Sequence, residues 1–184
     1  MPPGGAELDI AVLFADVRGS TALGEKLAPS EFAALLNRFY RSATEVLIHY
    51  DAIIDKLIGD EVMALFIPGI CGPNYRRKAV EAAAALLGAV GYGPGATPWL
   101  ALGGAVNSGT AYVGNVGGEV VDFTALGDTV NTASRMTSSA AAGEILMSET
   151  VYASVAGEFP DLPRRTLTLR GKEAQLTARV FRPG

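Results

Sequence analysis

The sequence predicts an α+β fold: a ferredoxin-like βαββαβ core with extra strands and helices, an antiparallel-rich sheet and helices on one face. Three observations predict it. Short apolar runs bounded by glycine and polar residues alternate with two long helical stretches. Gly59-Asp60 joins two of those runs as tightly as a hairpin turn. The chain has 184 residues, enough for one well-packed domain, with no internal repeat and no interdomain linker.

The elements follow in order. Residues 1–7, with Pro2, Pro3, Gly4 and Gly5, read as a flexible lead-in, and residues 8–184 as the domain. Residues 8–17 form a first strand whose apolar run ends at Asp16. Residues 20–27 read as a short helix with Ser20 as its cap. A longer helix runs from Pro29 to about Tyr50, with Phe32, Leu35, Leu36, Phe39, Ala43, Val46 and Leu47 at three-and-four spacing. Residues 52–58 and 61–67 are the arms of the Gly59-Asp60 hairpin, apolar on both faces and so central in the sheet. Residues 68–74 read as a loop, and residues 75–90 as an alanine-rich helix with Arg76, Arg77 and Lys78 at its solvated start. Two strands, 99–107 and 110–116, are expected on either side of a Ser108-Gly109 turn. A strand over 120–126 follows. Gly127-Asp128 opens a helix with Thr129, Val130, Ala133 and Met136 on its packing face. A strand over 143–147, a short helix capped by Ser148, and a final hairpin of 165–170 and 178–182 complete the chain.

Composition excludes several classes. A net charge of −4 carries no nucleic-acid footprint. One cysteine, Cys71, excludes an internal disulfide framework. No apolar run reaches the roughly 18 residues that span a bilayer, so a cytoplasmic domain without a membrane segment is expected. His49 is the only histidine and lies late in a helix, which argues against a zinc cluster and against a Ser-His-Asp device.

Three polar sets stand out from the apolar background. Asp16 ends the first strand and Asp60 sits on the central hairpin. Alone, Asp16 reads as a turn aspartate at a strand end. Together the two carboxylates, with a backbone carbonyl near Asp16, suit Mg²⁺ or Mn²⁺, which prefer oxygen ligands. Lys56 lies in a strand expected to be central, where a charge is expensive unless used; a lysine snorkelling from the sheet edge is the plainer reading. Asn131 and Arg135, one helical turn apart and preceded by Thr124 and Asp122, can address one anionic, hydroxyl-bearing ligand, or simply form an exposed helix face.

Four blocks then carry a resemblance: Phe14-Ala15-Asp16-Val17-Arg18-Gly19-Ser20-Thr21, Lys56-Leu57-Ile58-Gly59-Asp60, Gly114-Asn115-Val116-Gly117 and Gly127-Asp128-Thr129-Val130-Asn131-Thr132-Ala133-Ser134-Arg135-Met136. In this order and spacing the chain resembles the catalytic domain of class III nucleotide cyclases, of the bacterial adenylyl type. The resemblance implies conversion of ATP to 3′,5′-cyclic AMP and pyrophosphate at sites shared across a head-to-tail homodimer. It implies that Asp16, Asp60 and the Val17 carbonyl bind two Mg²⁺ or Mn²⁺ ions. Lys56 and Thr124 match the positions that read the purine. Asp122, on the same strand face as Thr124, competes for that role. Asn131 matches the residue that orients the ribose, Arg135 the transition-state arginine, and Lys172 the triphosphate-binding lysine. A guanylyl cyclase, or a catalytically silent module that binds nucleotide or dimerises, are the alternatives.

Overall fold

The computed structural model describes residues 4–169 and 175–184. The chain forms β1 (Gly5–Val17), α1 (Ser20–Lys26), α2 (Pro29–His49), β2 (Ile53–Ile58), β3 (Glu61–Phe66), α3 (Pro68–Cys71), α4 (Tyr75–Ala89), β4 (Leu102–Gly117), β5 (Val121–Leu126), α5 (Asp128–Ser138), β6 (Ile145–Ser148), α6 (Glu149–Ala153), β7 (Arg164–Thr168) and β8 (Gln175–Phe181). The strands form one sheet in the order β2-β3-β1-β4-β6-β8-β7, with β5 paired to β4 off that path. All pairings are antiparallel except β4 with β6. The first four strands thus stand in the order β2-β3-β1-β4, the arrangement of a βαββαβ core.

β1 is the axis of the fold. Ile10, Ala11, Val12, Leu13 and Ala15 are all 0% exposed, because β1 is covered on both faces. This is why its sequence is a continuous apolar run rather than an alternating one. On one face Ala11, Leu13, Ala15 and Val17 pack with Phe39, Ala43 and Leu47 of α2 and with Ala79, Ala83, Leu86 and Leu87 of α4. On the other, Ile10, Val12 and Phe14 pack with Val130 and Ala133 of α5. The two long helices share one face, as the sequence implies, but the opposite face is not left open: α5 covers it.

Five local expectations are corrected. Gly5, Ala6 and Glu7 are not a loose lead-in; they pair with Gly114, Val113 and Tyr112 of β4. Ser20 does not cap α1; Gly19 is the N-cap, with a left-handed φ of 73°, and Ser20 is the first helical residue. Part of the segment expected as a loop after β3 is the short α3, which holds the buried Cys71. Ser108-Gly109 is not a turn, and β4 runs unbroken through it. Gly109 serves close packing instead: a Cβ there would stand 2.7 Å from Thr129 Oγ1 of α5. The Ser108 hydroxyl donates to the Ile10 carbonyl at 2.8 Å and accepts from Arg76 Nε at 2.8 Å. Arg76 is therefore a strut between α4 and β4 rather than a solvated helix end.

Candidate active site

The site begins where β1 ends. Asp16 faces Glu61 across the β1–β3 ladder. The Val17 N–H donates to the Asp60 carbonyl at 2.9 Å, which pins the hairpin turn against the end of β1. Gly59, with φ 59°, makes that turn possible, and the Tyr40 hydroxyl donates to its carbonyl. The two sequence-predicted aspartates are thus brought together.

Electrostatics mark the spot. Burial pushes the Asp16 carboxyl above its ordinary value, Asp60 pushes it further, and Arg18 partly offsets both. Glu61 is raised by burial and then by Asp16 and Asp60, with Lys56 opposing. Glu61 is a third acidic residue that sequence reasoning missed; it follows Asp60 in what looks like an ordinary return strand. Carboxylate oxygens crowded together and short of positive charge form a donor set that fits a hard divalent cation. Among the described residues no three His, Cys, Asp or Glu side chains are gathered closely enough to hold a metal by themselves.

Two pockets meet at Asp60. One, of 330 Å³, is lined by Ser20, Thr21, Gly24, Phe32, Leu36, Gly59 and Asp60. The other, of 210 Å³, is lined by Lys56, Ile58, Asp60 and Glu61. Lys56 is not a stray snorkelling lysine. Its Nζ lies 3.0 Å from Asp55 Oδ1 and 3.4 Å from Thr124 Oγ1, and the Thr124 hydroxyl donates to Asp55 Oδ2. The structure therefore joins Lys56 to Thr124 on β5. Asp122 is exposed.

Asn131 and Arg135 project from α5, Asn131 exposed and Arg135 half-buried. Asp60 and Arg18 both act on the Asp16 carboxyl. Arg18 also ties the two halves of the chain: its N–H donates to the Ala101 carbonyl at 2.8 Å and its guanidinium to the Thr137 carbonyl in the last turn of α5. A cation there meets the negative end of the helix. Lys172 lies outside the described residues.

Comparison with known proteins agrees with this architecture. Residues 6–180 match the family model described as the adenylate and guanylate cyclase catalytic domain. The chain belongs to the class III nucleotide cyclase family. Among curated cyclases it is 33% identical over 173 residues to guanylate cyclase 32E of Drosophila melanogaster, covering 89% of this chain and 14% of that protein. It is 31% identical over 134 residues to adenylate cyclase 1 of Rhizobium meliloti (strain 1021), covering 70% of this chain and 20% of that protein. The chain thus spans only a small part of these cyclases' length. Among solved structures, the guanylyl cyclase Cya2 superposes with a TM-score of 0.85 at 27% identity, over 96% of this chain and 93% of that one. The adenylyl cyclase CyaB from P. aeruginosa superposes with a TM-score of 0.81 at 29% identity, over 96% and 95%. Cyclase domains of this class are generally dependent on divalent metal. No helix among the described residues is long and apolar enough to cross a membrane.

Proposed function

We propose that this cyclase domain is an adenylyl cyclase of the cytoplasm that works as a head-to-tail homodimer. The observation that carries ATP over GTP is the placement of Lys56 Nζ 3.4 Å from Thr124 Oγ1. Lys56 can only donate, so it suits adenine N1, an acceptor, and not guanine N1–H. The Thr124 oxygen can accept from the adenine amino group. Leaving unmatched a donor that the bound base covers would penalise guanine by roughly 1–3 kcal/mol.

The reaction is an in-line displacement: the ribose 3′-oxygen bonds to the α-phosphorus, its proton leaves to solvent, and the bond to pyrophosphate breaks. Asp16 and Asp60, with the Val17 carbonyl, would hold two Mg²⁺ or Mn²⁺ ions, which would supply Lewis-acid polarisation and a lowered pKa at the attacking oxygen. Asn131 orients the ribose. Arg135 meets the charge that grows on the α-phosphate, a role worth about 10²–10³ in rate for one such donor. Lys172 holds the triphosphate.

The two-chain geometry is supported by an exposed apolar arm. Val120 is 81%, Val121 52%, Phe123 44% and Leu126 49% exposed, a surface that suits a second copy of the chain. Each site would take Asp16 and Asp60 from one copy and Lys56, Thr124, Asn131 and Arg135 from the other.

The test is purified protein with Mn²⁺ or Mg²⁺ and either ATP or GTP. Cyclic AMP as the main product is expected. Cyclic GMP as the main product would favour the guanylyl reading, and no cyclic nucleotide from demonstrably dimeric protein would leave a silent binding module.

A further inference from the structure

We infer that Asp55 is the positioning residue that sets base selectivity, by fixing Thr124 as a hydrogen-bond acceptor beside the Lys56 donor. The inference rests on the adenylyl reading and deepens it. Asp55 has a side chain only 2% exposed. A carboxylate so buried is costly unless paired, and both of its oxygens are used. Oδ1 accepts from Lys56 Nζ at 3.0 Å and Oδ2 accepts from the Thr124 hydroxyl.

Neighbouring residues on a strand normally point to opposite faces. Here the β2–β3 register shifts between Ile54 and Lys56, so Asp55 is the extra residue of a bulge. A bulge re-aims side chains. This one lets consecutive residues, Asp55 and Lys56, reach the same threonine on β5.

The consequence is polarity. A threonine hydroxyl has one proton and can present either that proton or its lone pairs to a ligand. Asp55 takes the proton, so Thr124 Oγ1 presents lone pairs alone. Lys56, with a side chain 42% exposed, keeps further N–H donors after its bond to Asp55. A donor beside an acceptor is the complement of adenine N1 and its 6-amino group. Guanine, with N1–H and O6, reverses both. Asp122 is exposed and stands outside this network.

The test uses the full chain with Mn²⁺ and three substrates: ATP, GTP and purine riboside triphosphate, which keeps N1 but lacks the amino group. The wild type should favour ATP over each of the others by about 10-fold or more in kcat/KM. In Asp55→Asn the amide N–H can donate to Thr124 Oγ1 and free the hydroxyl proton. The preference for ATP over purine riboside triphosphate should then fall to within about 3-fold, with the ATP/GTP ratio falling by about 10-fold. Thr124→Val should lose the same preference, and adding Asp55→Asn to it should change the ratio no further. A merely structural Asp55 would lower kcat/KM for all three substrates together and leave the ratios unchanged, which overturns the inference. Should Asp55→Asn fail to fold, wild type against Thr124→Val still decides. Removing the amino group must cost the wild type about 10-fold and the valine variant nothing; equal losses overturn the acceptor assignment. A wild type that prefers GTP defeats the adenylyl reading itself. One that prefers ATP while Asp55→Asn keeps its ratios defeats the role of Asp55 alone.

Discussion

The crowding at the end of β1 makes a thermodynamic prediction that needs no turnover. Asp16 and Glu61 both have carboxyls raised above their ordinary values of 3.8 and 4.5, by burial first and by neighbouring carboxylates second. In the metal-free protein the folded state therefore binds more protons than the unfolded chain across the window above those values. The contribution of these two groups to stability must fall as pH rises through that window and stay lowered beyond it. A divalent cation that binds only the folded state opposes the loss. At one hundred times its dissociation constant it adds about 2.7 kcal/mol, which for a domain of this length is a rise in Tm of about 5–10 °C. Thermal unfolding at pH 5 and pH 8, with and without Mn²⁺, measures both effects. Asp16→Asn should unfold at a higher temperature than the wild type in metal-free buffer at pH 8, because a repelling charge is gone, and should lose most of the Mn²⁺ response. If Asp16→Asn keeps the full response, or if metal-free wild type does not lose stability relative to Asp16→Asn as pH rises, the placement of the cation at this carboxylate pair is refuted.

Three further outcomes are expected. Mixing Asp16→Ala with Arg135→Ala protein should restore about a quarter of wild-type cyclase activity, since random pairing makes half the dimers mixed and each mixed dimer holds one complete site; no recovery with mixed dimers present would exclude shared sites. The Glu144 carboxyl is held down to about 2, first by hydrogen bonds from Arg165, with Arg182 also donating. Its stabilisation is complete above its ordinary 4.5 and is lost as pH falls towards 2, so Glu144→Gln should flatten the acid limb of the unfolding profile and, with the two arginines partly exposed and screened, cost about 1–3 kcal/mol at neutral pH by denaturant titration. Gly109→Ala should destabilise by about 1–3 kcal/mol and lower kcat, because its Cβ would stand 2.7 Å from Thr129 Oγ1 and push on the helix that carries Asn131 and Arg135.

The parts of this protein legible in its sequence are those where a polar residue interrupts an apolar run beside a glycine. Asp16 before Gly19, and Asp60 after Gly59, announce themselves because the surrounding strands are buried on both faces. The amphipathic spacing of α2 is equally direct. The unbroken β4 was not legible. Ser108-Gly109 has turn composition, and only the packing of Thr129 against Gly109 reveals why a glycine is needed mid-strand. Glu61 was hidden for a different reason. It gains significance from Asp16, its partner across the ladder, and cross-strand register cannot be read from one strand alone. Arg18 likewise gains its role from Thr137 on α5, far along the chain.

Asp55 is the hardest case, and the reason is physical. Reading a strand from sequence assumes that side chains alternate, which separates Asp55 from Lys56 onto opposite faces. On that assumption one of the two is a buried, unpaired charge, and the strand looks poorly designed. The bulge removes the conflict, because one extra residue reverses the alternation and converts two isolated charges into a pair 3.0 Å apart. The apparent design fault was the signal. An acidic residue next to a basic one, inside a hairpin arm that is otherwise apolar, is tolerable only if the ladder breaks there. The same rule covers the rest of the site. Asp16 sits at a strand end, Asp60 on a turn, and Thr124 on a strand off the main path of the sheet. A sheet core whose central strand is 0% exposed over Ile10 to Leu13 has no room for unpaired charge, so the chemistry collects where regular pairing stops.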